Sequence, residues 1–179
     1  MAEYFKVAMD DERRWHLELL AVKPPIDIWA CCQVDVSLPV KFGVLVPGLK
    51  VDYNPSCFAI PVVSKRFADV LQSISPDEIQ RLPASVDNDP NNWKVLNVVS
   101  KVDCIDYARS SIQSYPQDHP EKPGKPRGVL RLVIDKNLAK GHHVFRAKDW
   151  EVVLIVSNDV KAALARLPVT GLEFIPVSD

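Results

Sequence analysis

The stretch KVLNVVSKVDCIDYARS, residues 94–110, places two aspartates and a cysteine within four positions after an apolar run. A thiolate at Cys104 beside Asp103 and Asp106 could form part of a nucleophilic active site. Such a site also needs a histidine base within hydrogen-bond reach, and no local motif supplies one. Strand alternation would send Cys104 and Asp106 to one face and Asp103 to the other. The stretch therefore predicts a small core cysteine, and an aspartate that caps a turn or pairs with Arg109.

The other residues that could do chemistry do not form a recognisable site. The sequence has no P-loop, GxGxxG, GxSxG or HExxH motif, and its four cysteines include no CxxC pair. The adjacent His142 and His143 would diverge on a strand, and no second pair stands at ligand spacing. We therefore predict no catalytic residues, no metal and no cofactor, and interpret the protein as a non-enzyme.

Length and composition describe an ordinary globular protein. With 179 residues, 47% of them hydrophobic and 25% charged, the chain can bury a core without disulfides or metals. No apolar signal segment opens the sequence, and no run approaches the roughly 18 apolar residues of a membrane span. We expect a cytoplasmic protein with reduced thiols and no membrane partner. We assign one domain to residues 1–179, with a β-rich arm over about 1–57 and a core over about 58–179.

A sequence pattern that occurs twice in the chain indicates which helices and strands position the candidate residues. PVVSKRFADVLQSI (61–74) aligns without gaps on LIVSNDVKAALARL (154–167), and each reads as a strand end, a serine and a helix. Ser64 and Ser157 are placed to cap the two helices. Each helix carries an apolar stripe at i, i+3, i+4 and i+7 spacing, formed by Phe67, Val70, Leu71 and Ile74 in the first and by Val160, Ala163, Leu164 and Leu167 in the second.

The elements between these units are mostly strands. Clear strand patterns occupy 58–63, 93–105, 128–135 and 150–157. RLVI (131–134) and VVLIV (152–156) are apolar throughout, so these two strands are expected to be covered on both faces. SPDEIQRL (75–82) has a capping-box pattern that predicts a short helix, and the Asx-rich segment 85–93 predicts a polar turn. We therefore predict an α+β fold: a single domain with a mainly antiparallel sheet on which two strand–Ser–helix units pack.

Charge is spread unevenly although the formal net charge is only −1. Residues 119–148 hold eight Lys/Arg against two acidic residues, and residues 69–92 hold five acidic residues against one arginine. An alternative function is therefore a nucleic-acid or anionic-ligand module, using the basic residues Arg127, Arg131, Lys136, Lys140, Arg146 and Lys148. Near-zero net charge and the lack of interleaved aromatics disfavour nucleic acid as a partner.

Several motifs, taken in order, resemble a known family. RRWHL, FAIPVVSKRFADVLQSISPDEIQRLPASV, LNVVSKVDCID, HHVFR and LIVSNDVKAAL are similar to the single-domain immunity proteins encoded beside bacterial polymorphic toxins (immunity family eleven, formerly a domain of unknown function). The resemblance covers about residues 13–177. It implies an α+β fold and a non-enzymatic role: binding and blocking a toxin domain encoded nearby. It also implies toxins delivered between competing bacteria, often nucleases.

If the toxin binds nucleic acid, its basic site would be attracted to an acidic face of the inhibitor. Tryptophans beside acidic and Asn-rich loops also have the composition of binding hot spots, although a core role is the alternative for each. We therefore predict two partner-binding patches. The first is Asp87, Asn88, Asp89, Asn91, Asn92 and Trp93, and the second is Asp10, Asp11, Glu12 and Trp15.

Overall fold

A computed structural model describes residues 3–10, 13–21 and 27–178, and within them the protein is mostly sheet with two α-helices. The helices are α1 (Lys65–Ile74) and α2 (Asn158–Ala165), and a 3₁₀ turn spans Cys57–Ala59. The strands, in chain order, are β1 (Tyr4–Ala8), β2 (His16–Leu19), β3 (Val40–Val46), β4 (Tyr53–Pro55), β5 (Pro61–Ser64), β6 (Ile79–Val86), β7 (Asp89–Val98), β8 (Lys101–Val102), β9 (Ser111–Ser114), β10 (Pro126–Arg131), β11 (Val144–Ala147), β12 (Trp150–Ser157) and β13 (Glu173–Pro176).

The strands of the described residues form two large sheets and a two-stranded ribbon of β9 and β10. The first large sheet has the order β13-β1-β12-β11-β8, and the second has the order β2-β3-β6-β7-β5-β4. Most neighbours are antiparallel, but β8 runs parallel to β11 and β3 runs parallel to β6. The α+β class is confirmed, whereas the single, mainly antiparallel sheet is corrected to several sheets of mixed direction. Parallel neighbours are joined by long crossovers, which local alternation does not encode.

The second sheet curls until its two edges approach each other. The backbone N–H of Leu19, in edge strand β2, donates to Cys57 Sγ beyond β4 at 3.0 Å. Apolar side chains from β2, β3, β5, β6 and β7 fill the space enclosed. The segment from Ile28 to Val36 packs against this enclosed core. It is held there by Gln80, whose side chain forms two hydrogen bonds with the Val34 backbone.

Both strand–Ser–helix units are confirmed. The Ser64 hydroxyl accepts a hydrogen bond from the Phe67 N–H at the start of α1, and Ser157 accepts one from Val160 at the start of α2. The apolar stripes of both helices meet in one cluster with residues of both large sheets. The opposite face of the first sheet carries another cluster, around Phe145 and Ile155. Strand β12 is thus covered on both faces over residues 154–157, as its sequence predicts, whereas Val152 is 52% exposed. The predicted strand 128–135 ends at Arg131, and residues 132–134 are buried but lie beyond it.

One local prediction was wrong, and another was correct in place but too long. The segment 75–82 is a turn followed by β6, which begins at Ile79. In a capping box each side chain would accept from the other residue's backbone N–H, whereas here the Ser75 hydroxyl donates directly to the Glu78 carboxylate. That carboxylate also accepts from the backbone N–H groups of His143 and Val144. Contacts more than sixty residues away therefore override the local helix signal. The polar turn at 85–93 shrinks to residues 87–88, and its flanks belong to β6 and β7.

The segment predicted as an arm contributes strands to both large sheets: β1 lies inside the first, and β2, β3 and β4 belong to the second. The division of the chain at residue 57 stays a prediction. In the part of the chain that the structure describes, no helix has the length and apolarity needed to cross a membrane.

Candidate functional site

The side chains of the VDCID stretch point to separate partners. Cys104 is fully buried, and burial raises the pKa of its thiol to about 12, so the reactive thiolate is absent at neutral pH. Asp106 accepts from the Arg109 backbone N–H at 3.0 Å and from its Nε at 2.7 Å, which confirms the turn cap and the ion pair. Asp103 pairs with Lys148 at 2.7 Å. These contacts support the fold and form no reaction centre.

Glu78 collects more donors than a surface carboxylate would. Its Oε1 lies 2.7 Å from His142 Nδ1 and accepts from the Ser100 hydroxyl at 3.2 Å, while its Oε2 accepts from the N–H groups of His143 and Val144 at 2.8 Å. Burial alone would raise the pKa of Glu78, but these donors and Ser75 outweigh it and lower the pKa below its ordinary value. The carboxylate therefore joins the start of β6 to the start of β11.

The Glu78 cluster also lacks the geometry of a catalytic triad. Ser100 Oγ lies 3.3 Å from His142 Nδ1, the same nitrogen that faces Glu78. In a serine–histidine–acid relay the acid and the serine must occupy different ring nitrogens. His143 turns away and places its Nδ1 2.9 Å from Ser157 Oγ. Within residues 3–10, 13–21 and 27–178, no three His, Cys, Asp or Glu side chains come close enough to hold a metal ion.

The first predicted patch lies at the tip of the β6–β7 hairpin. Asp87 and Asn88 form the two-residue turn with φ values of +48° and +66°, which Asn and Asp tolerate better than other residues with a Cβ. Asp87 Oδ1 accepts from the Val44 N–H at 3.2 Å, so the turn is fixed against β3. Asn92 Nδ2 donates to Asp89 Oδ2 at 2.9 Å. Asn91 lies in β7.

The structure joins the two predicted patches through their tryptophans. Trp15 and Trp93 are 4% and 8% exposed, and their ring centroids lie 5.0 Å apart inside the second sheet. Both rings therefore support the surface from beneath instead of projecting from it. Asp10 is exposed, whereas Asp11 and Glu12 lie outside the described residues. The assignment of these residues to a partner stays a prediction.

Sequence reasoning missed three exposed apolar residues at the same end of the sheet. Leu45, Val46 and Leu49 are about half exposed or more, at 62%, 48% and 52%. Trp15 N donates to the Leu49 carbonyl at 3.0 Å, so this segment lies directly beside the second patch. Gly48 permits the approach, because a Cβ there would lie 2.5 Å from the Arg13 carbonyl oxygen.

A single apolar residue in a strand is an ordinary surface feature, so these positions carry no signal of their own in the sequence. Only the proximity to the acidic turn makes them notable. We call the combined region the hairpin-end surface; it comprises Leu45, Val46, Leu49, Asp87, Asn88, Asp89 and Asn92.

The basic segment 119–148 does not form one positive face. Arg146 is 2% exposed inside the fold, Lys148 pairs with Asp103, and Lys136 pairs with Glu3 at 3.1 Å. Arg127, Arg131 and Lys140 remain exposed. Because phosphate backbones are bound by several aligned cations, this dispersal weakens the nucleic-acid alternative.

The fold is that of an α+β protein. The carboxylates and histidines described above hold its strands and turns together, and its candidate binding residues lie at the surface. Comparison with models of protein families then matches residues 46–179 to the one described as "Immunity protein family (Imm11)". The chain belongs to the Imm11 immunity protein family, as the sequence motifs suggested. The matched range begins after the RRWHL motif, so that motif lies outside it. No curated protein matches the chain.

Proposed function

We propose that this protein binds a toxin domain encoded nearby and neutralises it by stoichiometric occlusion, without chemistry of its own. The family match over residues 46–179 carries this proposal, since proteins of an immunity family are generally non-enzymatic and protect by binding. Occlusion requires only a complementary interface, typically about 800 Å² on each partner. The toxin belongs to a polymorphic system of interbacterial competition, and inhibitor and toxin meet in the cytoplasm.

The docking face we favour is the hairpin-end surface. An apolar patch beside polar and acidic residues resembles the usual composition of an interface, with an apolar centre and a polar rim. The Trp15–Trp93 pair beneath it provides a rigid support. The carboxylates of Asp87, which is exposed, and Asp89, which is partly exposed, would attract the basic active face of a nuclease toxin.

Expression of the neighbouring toxin gene with and without this protein tests the proposal. We expect co-expression to restore growth, and the purified proteins to form an equimolar complex by light scattering after size-exclusion chromatography. An unrelated toxin should receive no protection. A toxin that stays fully active in the presence of excess protein, or substrate turnover by the protein alone, would contradict the proposal.

Neutralising the acidic turn tests the docking face. The double variant Asp87→Asn/Asp89→Asn removes two charges, and asparagine suits the left-handed conformation of residue 87. We expect the association rate constant with the toxin, measured by stopped-flow fluorescence, to fall about fivefold at low salt. The difference should shrink at about 0.5 M NaCl, where exposed charges are screened.

The matched control is Asp77→Asn/Glu173→Gln, which removes two exposed charges that lie away from the turn. Asp77 precedes β6, at the opposite end of that strand, and Glu173 begins β13 in the other large sheet. Its association rate should stay within twofold of the wild-type value. If the two double variants associate equally fast, the acidic turn takes no part in docking, although the protein could still neutralise the toxin through another face.

A further inference from the structure

The four tryptophans separate into a buried pair and an open pair. Trp15 and Trp93 pack together in the interior, whereas Trp29 and Trp150 line a surface cleft of about 420 Å³. Trp29 is 44% exposed, and Trp150 is partly buried at the start of β12. An indole that lines an open cleft is available to a ligand, and aromatic residues in such positions dominate many interfaces.

The walls of this cleft are held in place by hydrogen bonds. The Trp29 backbone N–H donates to Asp27 Oδ1 at 3.0 Å, and Asn97 Nδ2 donates to the Cys32 carbonyl at 2.9 Å, which fixes the loop that carries Trp29. The opposite wall is the β11–β12 turn, where Asp149 has a φ of +68°. The cleft is therefore built before any ligand arrives, which lowers the entropic cost of binding.

The carboxylates of the cleft already have cationic partners. Asp149 lies 3.9 Å from Lys125 Nζ, and Glu151 lies 3.3 Å from Lys101 Nζ. Lys122 also lines the cleft, and its ammonium group packs over a ring instead of pairing with a carboxylate: its Nζ lies 5.8 Å from the Tyr115 ring centre. The charges that line the cleft therefore leave Lys122 available to an anion.

A second cation lies behind the same wall. Arg146 is 2% exposed, and its Nη1 donates to the Glu151 carbonyl oxygen at 2.6 Å, while its Nε has no hydrogen-bond partner. A buried guanidinium without a carboxylate leaves a positive potential at the adjoining surface. Lys125 and Lys101 balance the charges of Asp149 and Glu151, so Lys122 and Arg146 leave the cleft and the wall behind it with an excess of positive charge.

From this geometry we propose that the cleft between Trp29 and Trp150 binds an acidic peptide segment of a protein partner. A carboxylate of the segment contacts Lys122, and its apolar or aromatic neighbours pack on the two indoles. A nucleic acid fits less well, because a phosphate backbone is bound by several aligned cations, whereas the lining of this cleft alternates Lys122 and Lys125 with Asp149 and Glu151 and suits a single carboxylate contact. The inference rests on the proposed function only in taking that partner to be the toxin.

Nuclear magnetic resonance of the ¹⁵N-labelled protein provides a direct test, because each of the four tryptophans has one indole N–H signal. We expect titration with hexaglutamate to shift the Trp29 and Trp150 signals in a saturable manner and to leave Trp15 and Trp93 unmoved. The variant Lys122→Glu/Lys125→Glu should weaken this binding by about tenfold. Trp29→Ala should also weaken it, with unmoved Trp15 and Trp93 signals showing that the fold is intact.

The control variant is Arg127→Glu/Lys140→Glu, which reverses two exposed charges of the same basic segment that do not line the cleft. It should bind hexaglutamate with less than a twofold change. The proposal is overturned if hexaglutamate shifts neither open tryptophan, if hexalysine shifts them instead, or if oligothymidine binds more tightly than hexaglutamate. If the protein neutralises the toxin but hexaglutamate shifts neither the Trp29 nor the Trp150 signal, only the proposal for the cleft is refuted. If hexaglutamate shifts both signals but the protein does not neutralise the toxin, only the proposed function is refuted.

Discussion

Replacing Glu78 with alanine is expected to lower the free energy of unfolding by about 3 kcal/mol. The substitution removes the acceptor for the N–H groups of His143 and Val144, and Val144 is fully buried. An unsatisfied buried amide costs about 1–3 kcal/mol, and the charged acceptor strengthens each bond that is lost. It also removes the contact with His142 that holds β6 to the other large sheet.

Urea unfolding followed by tryptophan fluorescence measures this loss. Asp77→Ala, one residue earlier and exposed, is the matched control and should change the free energy of unfolding by less than about 0.5 kcal/mol. Glu78→Gln should fall between the two, because the amide keeps one acceptor oxygen. If Glu78→Ala costs less than about 1 kcal/mol, water must satisfy the two amides and the carboxylate is not the link between the sheets.

The pH dependence of stability follows from the same carboxylate. The pKa of Glu78 is lowered in the folded protein, so its stabilisation is fully present above its unfolded pKa of about 4 and is lost as the pH falls through the lowered value. Burial would raise the pKa of Asp52, but hydrogen bonds from Arg66, Ser64 and Thr170 outweigh it and lower that pKa as well. Below about pH 4 the free energy of unfolding should therefore fall less steeply with decreasing pH in Glu78→Ala than in the wild-type protein. The contribution of Asp52 to this fall should remain.

The variant Gly171→Ala should be similarly destabilised, by about 3 kcal/mol. Gly171 has a φ of +88°, and a Cβ there would lie 2.6 Å from Val51 Cβ and 2.9 Å from the Tyr53 carbonyl oxygen. Relief of this overlap would move the neighbouring Thr170, whose N–H donates to Asp52 Oδ2 at 2.9 Å. Thermal and urea unfolding should both detect the loss.

Gly141→Ala separates the overlap from the backbone strain. Gly141 has a φ of +90°, but a Cβ there would meet no atom within 4 Å. Its substitution should cost only the left-handed conformation, about 1 kcal/mol. Equal losses in the two variants would mean that the contact between Gly171 and Val51 relaxes without cost.

Features encoded by neighbouring residues could be predicted from the sequence. Ser64 and Ser157 cap their helices because a serine three positions before an amide can reach it in any such strand–helix junction. The pairing of Asp106 with Arg109 is likewise a contact across three residues. Strand β12 was predicted with its observed bounds because an apolar run covered on both faces is a strong local signal. Membership of the Imm11 family likewise follows from the sequence alone, through the match of residues 46–179.

Tertiary structure alone decided the features that depend on distant residues. The local pattern predicts a helix around Glu78, but in the structure its carboxylate binds the N–H groups of His143 and Val144. The same pattern of residues suits a turn equally well when stronger partners lie elsewhere in the fold. Four tryptophans beside polar residues look alike in the sequence, yet curling of the second sheet buries Trp15 against Trp93, whereas Trp29 and Trp150 meet at an open cleft. Burial is a property of how sheets close on one another, and short-range patterns do not contain it.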